Sequence, residues 1–153
     1  MRHIARGAVA GLAGTTAMTA AMLALKKAGM EPGELEPKEV AENVEETIGI
    51  RDYLPKRAFE ASWVMLHFGY GSTSGVAYAL AQEITRLNRP ALVGASFGMF
   101  LWAVGYCGWL PLLGLYPPPA QVPKRKVVAN ILAHVTYGTM TAMAHRLLRF
   151  EPT

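Results

Sequence analysis

Charge is absent from four long stretches of this chain. Gly7–Leu25, Ala61–Gln82, Pro90–Pro123 and Val127–Ala144 run for 19, 22, 34 and 18 residues without Asp, Glu, Lys or Arg. The 15 basic and 11 acidic residues all fall in the remainder. A helix on the surface of a water-soluble protein carries charge on its outer face every few residues. Uncharged runs of this length instead predict helices with lipid outside. A helix rises about 1.5 Å per residue, so ~20 residues cross a hydrocarbon layer of ~30 Å. The third run is longer, but Pro111, Pro117, Pro118, Pro119 and Pro123 end its helix near Trp109. The pattern predicts an all-α fold, a four-helix transmembrane bundle. It forms a single domain over residues 1–153, with spans at about 4–25, 58–82, 90–109 and 126–148.

A polar insertion, residues 26–57, separates the first two spans. It holds Glu31, Glu34, Glu36, Glu39, Glu42, Glu45, Glu46 and Asp52. Pro37 suits the start of a helix and Gly49 its stop. Val40, Val44 and Ile48 share one face, which predicts a short amphipathic surface helix resting on the membrane or on the bundle. The Glu45–Glu46 pair reads as a solvated helix face. The stretch from Pro111 to Pro123 is too proline-rich for a helix. It predicts extended backbone at the interface, with Trp109 and Tyr116 at headgroup depth. Arg2, His3 and Arg6 ahead of the first run resemble a secretory leader, but the run is long and is read as a retained first helix.

The second and fourth spans carry one signature, H-x-x-Y-G-[ST]-x-[ST]-[GA]-x-A, beginning at His67 and at His134. The first and third echo each other through Gly7–Gly11 and Gly94–Gly98. This reads as two parallel-repeat helical hairpins related by an axis along the membrane normal. His67, Tyr70, Ser74, Tyr78 and Gln82 form a stripe at helical period, and Asn130, His134, Tyr137, Thr141 and His145 form another. Polar groups are costly in lipid, so both stripes should face inward and toward each other. Gly7, Gly11, Gly71, Gly75, Gly94, Gly98 and Gly138 are the candidate helix-packing residues.

The formal charge of +4 does not point to nucleic acid, because the basic residues sit as short collars at span ends, Lys124 to Lys126 among them. Cys107 is the only cysteine, which excludes an internal disulfide and a thiolate metal cluster. No phosphate loop or hydrolase motif occurs, and no catalytic residue is assigned. The leading reading is a non-enzymatic membrane protein whose His/Tyr and glycine faces associate helices, with the lipid bilayer and a homo-oligomer or membrane protein as partners. The candidate polar site is His67, Tyr70, Ser74, His134, Tyr137 and Thr141. A second reading uses His67 and His134 in a proton-linked or small-solute pathway. A third makes the same two histidines axial ligands of haem b.

The run Pro111-Leu112-Leu113-Gly114-Leu115-Tyr116-Pro117-Pro118, then Pro123 and His134-x-x-x-Gly138, resembles the C-terminal half of the YagU-like family of small bacterial inner-membrane proteins. The short tail and the basic Lys124-Arg125-Lys126 depart from that pattern. The resemblance implies a multi-span protein of the bacterial inner membrane, with no assigned chemistry.

Overall fold

The computed structural model describes residues 2–30 and 35–149. Glu31 and Glu34 lie outside the described residues. Every regular element among those described is helical: α1 (Arg2–Lys27), α2 (Glu36–Thr47), α3 (Lys56–Thr85), α4 (Pro90–Val104), α5 (Leu110–Leu112) and α6 (Lys124–Arg149). A π-helical turn, Gly105–Trp109, joins α4 to α5, and short 3-10 turns occur at Arg51–Tyr53 and Pro119–Gln121. Prolines start the helices after α1. Pro37 sits in the first turn of α2, Pro55 caps α3, and Pro90 opens α4. The Pro123 carbonyl accepts the first backbone bonds of α6. Proline suits these positions because its fixed φ is helical and the missing N–H would be unpaired there anyway. Gly49 stops α2 with φ +73°, and the N–H groups of Gly49 and Ile50 bond back to Glu46 and Glu45, a left-handed cap.

Two helices, Arg2–Lys27 and Pro90–Leu112, are long and apolar enough to cross a membrane. α3 and α6 have comparable length but carry the polar stripes. Apart from Tyr70, which is half-exposed, those stripes point inward: Ser74, Gln82, Asn130, His134, Thr141 and His145 are buried, as is Thr15 of α1. The outer surface is apolar, with Val9, Met65, Leu80, Leu92, Phe100, Leu132 and Leu147 all exposed.

The helices lie in the order α3, α1, α6, α4, with α1 and α6 side by side in the middle. Two interfaces rest on glycine. Gly7 and Gly11 of α1 meet Gly71 and Gly75 of α3, where a Cβ on Gly7 would come 2.8 Å from Val76 Cα. Gly94 and Gly98 of α4 meet Gly138 of α6 and the His134 carbonyl, where a Cβ on Gly138 would come 2.6 Å from the Gly98 amide nitrogen. In the middle, Gly14 of α1 faces Thr141 and Tyr137 of α6. The order is open: α3 and α4 flank the array instead of closing it. A twofold axis exchanging the two hairpins would match the α1–α6 interface with an equal α3–α4 one, which the packing lacks.

The insertion departs from expectation in its facing. α2 packs on α3 with Glu36, Ala41 and Glu45 buried. Glu45 is not solvated; it accepts a hydrogen bond from Ser62. Ile48, at the C-cap, is exposed. Lys126 is not a lipid collar: it is buried and bonds both carboxylate oxygens of Glu39 at 2.9 Å. Tyr116 is not at a surface either. With Leu115 it folds inward onto Tyr106 and Leu110, beneath Val40 and Val44 of α2. The Asn43 side chain fixes this fold-back by donating to the Leu115 carbonyl at 2.8 Å.

Candidate functional site

Between α3 and α4, where the array is open, lies a cavity of about 210 Å³. α1 and α6 form its back, and α2 lies across one end through Pro37, Val40, Ala41 and Val44. Toward the other end of the cleft, the Tyr78 ring contacts Phe97 of α4 and His145 of α6, with centroids 5.2 and 5.7 Å apart.

Of the residues expected to form a polar site, His67, Tyr70, His134 and Tyr137 line this cavity. Ser74 lies beside both Tyr70 and Tyr137, and Thr141 lies beside Tyr137 one turn below the cavity. The stripes therefore face each other. Besides the Tyr78–His145 contact, the Tyr137 hydroxyl links α6 to α3 by donating to the Gly71 carbonyl at 2.6 Å. The bare backbone at Gly71 makes room for Thr15 of α1, which a Cβ there would strike. Of the seven candidate packing glycines, all are buried inside the chain's own helix interfaces.

The ring nitrogens can be assigned from their partners. His134 Nδ1 lies 2.9 Å from the Asn130 carbonyl oxygen, which can only accept, so Nδ1 carries the proton. Nε2 then holds a lone pair, and no partner meets it among the described residues. His67 Nε2 lies 3.2 Å from Thr19 Oγ1. The Thr19 proton is directed to the Thr15 carbonyl at 2.8 Å, so the hydroxyl accepts from His67 and leaves Nδ1 as the lone-pair nitrogen. The Thr15 hydroxyl likewise donates to the Gly11 carbonyl.

Three contributors went unread in the sequence. Thr15 and Thr19 of α1 continue the stripe Gly7, Gly11 at four-residue spacing, a signal that was present in the pattern. Tyr106 stands edge-on to the His134 ring at 5.5 Å. It does so from the π turn, where Gly105 and Gly108 weaken the regular helix; such turns recur at functional sites. α2 also borders the cavity. It is tied down by Lys38–Glu60 at 2.8 Å and Lys126–Glu39 at 2.9 Å.

The described lining holds no Asp, Glu, Lys or Arg. Among the described residues no cluster of three or more His, Cys, Asp or Glu side chains could hold a metal ion. Chemically, the cavity offers imidazole lone pairs, phenols and an apolar wall. The model of a family described as a protein of unknown function, DUF1440, matches residues 46–143. That segment takes in α3, the π turn, both histidines and most of α6. No curated protein and no solved structure matches the chain.

Proposed function

We propose that this chain, which belongs to the DUF1440 family of proteins of unknown function, is a four-span membrane protein that holds a small lipid-soluble molecule between its helices. The cavity of about 210 Å³ between α3 and α4, lined by both His/Tyr stripes, carries the reading.

Four spans are favoured by the inside-out distribution of polarity. Thr15, Ser74, Asn130, His134, Thr141 and His145 are buried while Leu80, Leu92, Phe100 and Leu132 face out, the arrangement that a hydrocarbon solvent favours. The polar stripes lower the hydropathy of α3 and α6, yet neither stripe reaches the outer surface for most of its length. The likeness to YagU-like proteins favours the bacterial inner membrane. Because the glycines are occupied within the chain, self-association would use the outward apolar faces. A binding role is favoured over catalysis because the hydroxyl protons of Thr15, Thr19 and Tyr137 are all directed to backbone carbonyls. The Tyr78–Phe97–His145 contacts favour a holding site over a continuous path. A haem between His67 and His134 is less favoured, because a four-pyrrole macrocycle would force α3 and α4 apart.

The test has two stages. Membranes from expressing cells are washed with alkaline carbonate, and the chain is expected to remain in the pellet. Recovery in the supernatant would end the membrane reading. The purified protein in nanodiscs is then heated with 4-butylanisole, a neutral single-ring probe. A ligand bound by the folded state raises Tm. Wild type is expected to shift and Val40→Trp, which fills the cavity under α2, is not. An absorption spectrum with a Soret band lost in His134→Ala would favour haem instead. Solute flux in liposomes lost on His67→Ala or His134→Ala would favour the pathway.

A further inference from the structure

We infer that the cavity selects phenols and hydroquinones: neutral, ring-bearing molecules whose hydroxyl donates to His134 Nε2. This rests on the cavity being a ligand site, as proposed above, and specifies what that site accepts.

Three observations carry it. The first is charge. With no ionic side chain in the described lining, a charged ligand would lose its water and gain no counterion there. The second is the direction of the protons. His134 is nine-tenths buried, and its Nδ1–H is taken by the Asn130 carbonyl. His67 gives its Nε2–H to Thr19. The Tyr137 proton is held by the Gly71 carbonyl. The imidazole nitrogens left over are acceptors, so a ligand that matches His134 Nε2 brings a donor. A buried acceptor left unpaired is costly, which turns this asymmetry into selectivity. A hydroquinone satisfies Nε2, whereas the corresponding quinone, with carbonyls alone, leaves it unpaired even where the Trp109 N–H or a tyrosine hydroxyl of the lining meets those carbonyls.

The third observation is shape. Tyr70, Tyr106, Trp109 and Tyr137 contribute ring faces and edges to the lining, which favours a planar ligand. An apolar cavity of about 150 Å³ accommodates benzene, so about 210 Å³ suits one substituted ring. Leu66 and Tyr70 at the mouth are half-exposed on the apolar outer face of α3. A lipid-dissolved molecule would enter there, with its tail left between α3 and α4.

The experiment compares 4-butylphenol with 4-butylanisole, its methyl ether, by calorimetric titration of the full chain in nanodiscs. The ether keeps the ring and butyl chain and replaces the donor hydrogen with a methyl group, whose own effect is read from the same pair of probes in His134→Leu. Wild type is expected to bind the phenol about tenfold more tightly, the worth of one hydrogen bond to an otherwise unpaired acceptor. In His134→Leu the preference is expected to fall to near one, with ether affinity unchanged, which also reports an intact cavity. Equal affinity of wild type for both probes overturns the phenol assignment and leaves the ligand cavity standing. A preference that survives His134→Leu overturns the role of Nε2. Binding of neither probe overturns the cavity reading itself. The wild-type ratio needs no variant, so the inference stays testable even if His134→Leu does not fold.

Discussion

Gly98 and Gly69 differ by what a single methyl group would strike. A Cβ on Gly98 would land on the His134 carbonyl, which belongs to backbone and cannot swing aside. A Cβ on Gly69 would meet nothing within 4 Å. Gly98→Ala is therefore expected to destabilise by about 1–3 kcal/mol through forced separation of α4 and α6. Gly69→Ala, in the middle of a helix, is expected to be neutral or stabilising by about 0.5–1 kcal/mol. Thermal unfolding of the two variants in one detergent measures the contrast, and equal Tm values would contradict the glycine-mediated approach. The seven packing glycines were legible because their spacing matches the helical repeat. Gly14 meets Thr141 by the same logic, but its partner lies on the last helix and nothing in local spacing announces it. Thr15 and Thr19 were hidden for another reason. Small hydroxyls that bond their own helix backbone resemble ordinary apolar filling until a histidine is seen to reach them.

For elements, ends were easier to read than faces. Pro37 and Gly49 bounded α2 because each has a backbone conformation that a helix terminus uses. Its orientation was not legible, since an apolar stripe says that something is covered and not what covers it. Glu45 turned inward to Ser62, and Glu39 found Lys126 across 87 positions of sequence. That second pair holds α2 against the start of α6. Lys126→Met is expected to leave Glu39 unpaired and loosen α2, at a cost of about 1 kcal/mol for a partly exposed pair. Hydrogen exchange in Glu36–Thr47 should then quicken while α1 and α6 keep their protection; unchanged exchange in α2 would show that the tie contributes little. The π turn had no signature beyond Gly105 and Gly108. An extra residue in a helix is set by what Tyr106 packs against, and that contact is remote in sequence.

At the scale of the whole molecule, uncharged runs gave the number of long helices, and the pairing order required the structure. The proposed four-span topology would put the N-terminus, the loop at 86–89 and the C-terminus on one side, with α2 on the other. In a Cys107→Ser background, Asn88→Cys and Glu46→Cys are expected to react with a membrane-impermeant maleimide from opposite faces of sealed vesicles. Labelling of both from one face would break the four-span topology. Basic side chains occur on both sides, so charge counting alone does not fix which face is cytoplasmic.

The central position of α1 between α3 and α6 also governs how the protein is made. α1 precedes α6 in the chain, yet the face bearing Gly14 meets Thr141 and Tyr137 only once α6 is present. The earlier helix must wait for the later one. Until then that face of α1 stays uncovered, so the middle seam of the array closes only when the first and last long helices described are both in place.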